Sequence, residues 1–179
     1  MLPTVVFLDR DGVINEDSPD YIKSVDEFIF MPGSVEAIAH MSKLGIKIVV
    51  ITNQSGLHRE YFTFETLEAM HQKLRHAITT AGGTIEAIFF CPHGPNEGCL
   101  CRKPLPGLIH QAERTLSIKA AGQPFVGDSD RDITCALAAG CVPILVGTGN
   151  GIKARSKFPH IPFYPSLAEY AISLTTVSC

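Results

Sequence analysis

The chain has 179 residues, of which 45% are apolar and 18% charged, with a formal net charge of −3. That balance excludes an intrinsically disordered chain and offers no general attraction to nucleic-acid phosphates. No apolar run reaches the roughly 20 residues of a membrane span, and the length suits one domain, residues 1–179.

Met1-Leu2-Pro3-Thr4 leads straight into an apolar stretch, without the basic segment or small-residue cleavage site of a secretory leader, so a cytoplasmic location is expected. Short β-branched apolar runs then recur at Val5 to Leu8, Ile46 to Ile51, Ile85 to Phe90, Pro124 to Val126 and Val142 to Val146, and each reads as a buried strand. Between them the spacing predicts helices over Val35 to Leu44, Phe64 to Ala81, Gly107 to Leu116 and Asp132 to Ala139. Strands apolar on both faces and separated by helices predict a mainly parallel sheet covered on both sides, a Rossmann-like three-layer α/β/α sandwich.

Two segments interrupt the alternation. Residues 16 to 31 are too polar for a crossover helix and predict a short flap or hairpin. Residues 91 to 106 hold three cysteines, four prolines and two glycines, an irregular loop that needs outside support. The proline-rich stretch from Phe158 to Ser166 predicts an edge strand before a last helix at Leu167 to Leu174. With no large cap insertion, the pocket is expected to be shallow and selective through its loops. A monomer is the default, since no hydrophobic stripe is left over once the core is assigned.

In an open α/β sheet ligands bind beyond the carboxyl ends of the strands, so the polar residues after each strand are the candidates. The first strand ends in Asp9-Arg10-Asp11-Gly12, the second in Thr52-Asn53-Gln54-Ser55-Gly56, and the fourth in Gly127-Asp128-Ser129-Asp130-Arg131-Asp132, with Arg102-Lys103-Pro104 upstream of it. Singly these read as turns, helix caps or part of a calcium loop. Together they are the parts that hydrolysis through an aspartyl-phosphate needs: a carboxylate nucleophile, carboxylates for magnesium, and a lysine and hydroxyl or amide donors to balance phosphoryl oxygens. Gly12 permits a turn that returns Asp11 over the site, where it could protonate a leaving oxygen and then activate water.

Cys91-Pro92-His93 followed by Cys99-Leu100-Cys101 places four soft ligands within eleven residues, which suits a closed tetrahedral structural zinc site. The spacing is not that of a ββα zinc finger, and the zinc loop, about residues 91–103, would orient Arg102 and Lys103. Cys135 and Cys141 read as small core residues and Cys179 as a loose thiol.

The combination resembles the haloacid dehalogenase-like (HAD) phosphatases over roughly residues 4 to 147. Leu8-Asp9-Arg10-Asp11-Gly12-Val13-Ile14-Asn15 looks like the first family motif, Ile51-Thr52-Asn53-Gln54 the second, Lys103-Pro104 the third, and Val126 through Asp132 the fourth. The resemblance implies Asp9 as nucleophile, Asp11 as acid and base, and Thr52 and Lys103 as phosphoryl stabilisers. It implies magnesium on Asp9, Asp128 and the Asp11 backbone carbonyl, with Asp132 orienting the site from behind; Asp132 also reads as a helix cap or first-turn acid.

Within the family, a zinc loop followed by Cys-Arg-Lys-Pro is similar to two groups: phosphatases of D-glycero-D-manno-heptose 1,7-bisphosphate, which serve nucleotide-heptose precursors of lipopolysaccharide and surface glycans, and phosphatases of histidinol phosphate. The stretch Asn53-Gln54-Ser55-Gly56-Leu57-His58-Arg59 looks more like the heptose group, although Glu60 stands where that group has glycine. By the same resemblance Asn53, Gln54, Ser55, Arg59, Arg102, Asp17, Tyr21 and Ser129 contact substrate. Arg102 would pair with a second phosphate, Ser129 replaces a common lysine, and the flap of Asp17 and Tyr21 holds one extra residue. A polynucleotide 3′-phosphatase shares the fold, but it predicts a basic channel that this composition does not advertise.

Overall fold

Every apolar run picked out by its β-branched residues becomes a strand. The computed structural model describes residues 1–176; Cys179, read from sequence as a loose thiol, lies outside them. The strands are β1 (Val5–Leu8), β2 (Lys47–Asn53), β3 (Ala87–Cys91), β4 (Pro124–Gly127), β5 (Val142–Val146) and β6 (Phe163–Tyr164), with helices α1 (Ser34–Lys43), α2 (Phe64–Thr80), α3 (Gly107–Leu116), α4 (Asp130–Ala138), α5 (Gly151–Lys157) and α6 (Leu167–Thr176) between and after them. All strand pairs are parallel, in the order β3-β2-β1-β4-β5-β6. The chain winds outward from β1 to β3, then returns to the middle and winds the other way. The reversal falls between β1 and β4, where loops leaving neighbouring strands diverge and open a crevice.

The alternation of side chains along each strand builds a core on either side of the sheet. Val6 and Leu8 of β1 and Ile48 and Val50 of β2 face α1, α2 and α6, where Ile38, Met41, Leu67, Met70, Leu74 and Tyr170 are buried. Val5, Phe7, Val49 and Ile51 face α3 and α4, meeting Leu108, Ile109, Ala112 and Ala136. Cys135 and Cys141 sit in this second core as small apolar groups.

The expected flap is an irregular excursion tied down at its base by an antiparallel bridge between Asn15 and Phe30. Phe28 plugs it into the first core, and Lys73 of α2 donates to the carbonyls of Val25 and Phe28 at 2.8 and 2.7 Å.

Two elements differ from the sequence expectation. Helix α4 starts at Asp130, two residues before the predicted Asp132, because Ser129 and Asp132 form a reciprocal capping box that sets the first turn. Helix α5 carries no periodic signal over its seven residues; it forms because Ala154 packs on Ile133 and Leu145. Among the described residues no helix is long and apolar enough to cross a membrane.

Ile38 is fully buried between the sheet and α6. Ile38→Ala is expected to lower the unfolding free energy by about 3 kcal/mol, read as a reduced urea midpoint at unchanged m-value.

Candidate active site

The tips of β1 and β4 place Asp9 and Asp128 side by side at the sheet reversal, and the first turn of α4 adds Asp132. Oxygens of the three carboxylates lie within 4.8 Å of one another, and all three residues are buried. Lys103 enters from the cysteine loop and closes the group: its Nζ is 2.6 Å from Asp9 Oδ1, 2.8 Å from Asp132 Oδ1, and donates to the Ile51 carbonyl at 3.0 Å. Three carboxylates against this one ammonium leave two negative charges in excess. A divalent cation with oxygen ligands fits that deficit.

The electrostatics follow from this crowding. Burial, reinforced by Asp132, pushes Asp9 well above the usual carboxylate range. Burial and Asp132 likewise push Asp128 up to about 7. Burial works against the charges of Asp132 and Lys103 too, but their contact outweighs it, holding Asp132 below and Lys103 above their ordinary values. The buried site thus contains a stable ion pair beside two carboxylates that lack sufficient positive charge.

Two glycines make room for Asp128. A Cβ on Gly12, whose φ is +86°, would stand 2.2 Å from Asp128 Oδ2, and one on Gly149, at φ +55°, would stand 2.1 Å from the same oxygen. Only glycine allows both the left-handed backbone and the close approach. Asp128 Oδ2 then accepts from the Asn150 backbone at 2.8 Å. The Asp9 Oδ1 oxygen takes both Lys103 and the Arg10 backbone N–H, at 2.7 Å, and leaves Oδ2 free of these contacts.

Asp11 does turn back as Gly12 permits, lining the same cavity of about 230 Å³ as Asp9 and Asp128. Its Oδ1 accepts from Arg10 Nε and Nη2, at 3.2 and 2.8 Å, and from Asn15 Nδ2 at 2.9 Å; its Oδ2 accepts from Gln54 Nε2 at 2.8 Å. Burial opposes the Asp11 charge, but Arg10 together with the hydrogen bonds from Asn15 and Gln54 outweighs it and lowers the pKa. Arg10 itself is only 1% exposed, and its Nη1 meets Nε2 of the equally buried His71 at 3.3 Å.

Of the residues proposed for substrate contact, Asp17, Tyr21, Asn53, Gln54, Ser55, Arg102 and Ser129 line the cavity. Several of their side chains are already engaged. Asn53 clamps the backbone of Lys103, donating to its carbonyl at 3.1 Å and accepting its N–H at 3.0 Å. Ser129 donates to Asp132 at 2.7 Å within the helix cap. Thr52 is wholly buried and accepts from Gln54 Nε2 at 3.0 Å, so its side chain stands behind the cavity wall. Arg59 is exposed and outside the lining, 5.9 Å from the ring of Tyr21.

The structure adds Arg10, Ser18, Ile22, Arg131 and Asn150 to the lining. Arg131 directly follows residues singled out in the sequence, but its helical register was needed to aim it. Asn150 comes from the loop after β5, which carries no acidic or cysteine signal. Burial and the nearby Arg131 hold Arg102 below its ordinary value, so two cations stand at one rim with charge left for an anion.

At the rim the cysteine loop gathers its four groups. Sγ of Cys91 lies 3.0 Å from that of Cys101 and 3.6 Å from that of Cys99, and His93 Nδ1 is 3.3 Å from Cys101 and 3.5 Å from Cys91. In a tetrahedron with metal–sulfur bonds of about 2.3 Å, neighbouring sulfurs are about 3.8 Å apart. The set fits a four-coordinate soft cation with slight expansion. Arg102 Nη1 donates to the His93 carbonyl at 3.1 Å, and the Gln54 N–H to that of Cys91 at 2.7 Å, so this loop and the tip of β2 are one unit.

A family model described as HAD-hydrolase-like matches residues 100–169. The chain is 51% identical over 153 residues to a D-glycero-beta-D-manno-heptose-1,7-bisphosphate 7-phosphatase of Bordetella bronchiseptica, covering 86% of each chain. It is 48% identical to the Pseudomonas aeruginosa protein of the same name, covering 88% of each. The crystal structure of D,D-heptose 1,7-bisphosphate phosphatase from B. bronchiseptica, complexed with magnesium and phosphate, superposes with a TM-score of 0.94 at 46% identity, covering 98% of this chain and 99% of that one.

Burial and the neighbouring Arg10 lower His71 to about 3, against an ordinary 6.5. The unfolded chain therefore takes up a proton at His71 as pH falls through 6.5, while the folded chain does not until near 3, so stability is lost on acidification across that window. Between pH 7 and 5 this group alone contributes a loss of about 2 kcal/mol. Urea unfolding of the native chain and of His71→Gln at both pH values should show the smaller pH effect in the variant.

Proposed function

We propose that this chain, which belongs to the HAD-like hydrolase family, removes the 7-phosphate of D-glycero-D-manno-heptose 1,7-bisphosphate through an aspartyl-phosphate intermediate. The observation that carries the chemistry is the buried group of Asp9, Asp128 and Asp132 with only Lys103 to balance it. Such a site is poised for a cation and a phosphate together. The choice of sugar follows from the identity to relatives of that name along 86% of both chains.

In this reading the Asp9 carboxylate attacks phosphorus, the ester oxygen departs, and Asp11 protonates it. Water then attacks the aspartyl-phosphate after giving a proton to Asp11, and Asp9 is released. Asp9, Asp128 and the Asp11 backbone carbonyl would hold magnesium, which would supply the positive charge that lets a carboxylate meet a phosphate dianion. Lys103 stabilises charge on the transferring group from the Asp9 side, while Asp132 holds Lys103 in place. With Arg10 in contact, Asp11 rests as a carboxylate. An arriving dianion raises its pKa, as any like charge does, and makes the protonated form accessible for the first half-reaction.

Arg102 and Arg131 at the rim would take the phosphate that does not react, as bidentate donors suited to phosphate oxygens. Thr52 supports the site through Gln54, and Asn53 through the Lys103 backbone. The Cys91, His93, Cys99 and Cys101 set would hold a structural zinc, which would keep Arg102 and Lys103 on their approach to the site.

Asp9→Asn keeps the shape but removes the nucleophile, and phosphate release with magnesium should fall by at least about a thousandfold. Native-like rates in that variant would overturn the covalent route. Heptose 1,7-bisphosphate and histidinol phosphate, assayed side by side with fructose 1,6-bisphosphate as control, decide the substrate. A preference of about a hundredfold in kcat/KM for the heptose, worth roughly 2.7 kcal/mol, is expected. The reverse preference would assign the chain to histidinol phosphate.

A further inference from the structure

At the cavity floor Arg10 meets His71, a buried residue that stands outside the lining and that the proposed chemistry leaves unused. Arg10 is a buried cation whose guanidinium is shared between two partners on opposite edges: Nε and Nη2 on Asp11 Oδ1, and Nη1 on His71 Nε2. Arginine can only donate, so Nε2 of His71 must accept and the ring must be neutral, its proton on Nδ1. The low His71 pKa agrees with this. The guanidinium lies over the Phe28 ring at 5.3 Å, and the His71 ring rests near Phe90 at 6.0 Å, so aromatic surfaces flank both groups while their polar contacts set which edge faces Asp11.

We infer that His71 is a positioning residue for Asp11: by taking Nη1, it turns the Nε–Nη2 edge of Arg10 onto Oδ1 and holds the Asp11 carboxyl in its aim into the cavity. Without that acceptor a buried, charged N–H has no partner, and Arg10 reorients. The Asp11 carboxyl then keeps its Asn15 and Gln54 contacts but loses the planar fork that fixes the Oδ1 side. A merely structural histidine would affect all substrates alike. A histidine acting through Asp11 affects those whose leaving oxygen needs a proton.

The inference rests on Asp11 acting as the acid, and the test separates the two. The reading is kcat/KM, which reports the phosphorylation half-reaction, for heptose 1,7-bisphosphate and for p-nitrophenyl phosphate, whose phenolate leaves without protonation. His71→Leu should lower the value about thirtyfold for the sugar phosphate and less than about threefold for the aryl phosphate, with KM little changed. His71→Gln, which retains an acceptor, should recover most of the loss. Asp11→Asn, run alongside, should give the same split more strongly. Should His71→Leu fail to give a cooperative melt, Arg10→Lys, which keeps the charge and loses the fork, must show the split instead. Equal losses on both substrates, or none, in the folded variant would overturn the inference while Asp11→Asn still shows the split. If Asp11→Asn shows no split, the acid assignment itself falls.

Discussion

One ammonium holds the site together. Lys103 is 3% exposed, and its three contacts reach the tip of β1 through Asp9, the end of β2 through the Ile51 carbonyl and the start of α4 through Asp132. A buried lysine is costly unless paired, and a buried pair with one partner removed costs several kcal/mol. Three segments far apart in the chain are therefore bound to a single point, and that point comes from the loop that carries the cysteines. The Asn53 side chain fixes the Lys103 backbone from β2. Lys103 is thus positioned from both its ends.

That arrangement leaves a deliberate imbalance. A site built for stability alone would match its carboxylates with cations, yet Asp9 and Asp128 are held in short supply of positive charge, their pKa values raised by burial and by Asp132. The backbone was shaped to permit it, since Gly12 and Gly149 wrap Asp128 more closely than any side chain would allow. Such local cost is sustained by the apolar layers on either side of the sheet, and a divalent cation would offset it. The second carboxylate of the first motif is treated in the opposite way. Asp11 is saturated with donors from Arg10, Asn15 and Gln54, which separates its behaviour from that of Asp9 although the two are only two residues apart.

The sheet was legible because burial on both faces demands runs such as Ile48 to Ile51 that are apolar without alternation, and helices such as α2 show their period over many residues. Helix α5 was not, because seven residues carry too few apolar positions to set a period, and its formation depends on a surface supplied by Ile133 and Leu145. Within the site, acidic residues after apolar strands stand out by their chemical cost in such places. Arg10 and His71 do not, since an arginine between two aspartates reads as a surface charge, and a histidine within an amphipathic helix reads as part of its polar side.

The sequence by itself determined the parallel α/β class, the strand tips on which chemistry depends, the cysteine and histidine cluster, and the identity of the acidic residues. These follow from composition and spacing, which are local. Tertiary structure alone decided that Lys103 bridges Asp9 and Asp132, that Thr52 stands behind the wall and Arg59 outside it, and that Asn150 closes on Asp128. Those relations join residues far apart in the chain, and they exist only because opposite windings of the sheet on the two sides of β1 and β4 bring their loops to one crevice.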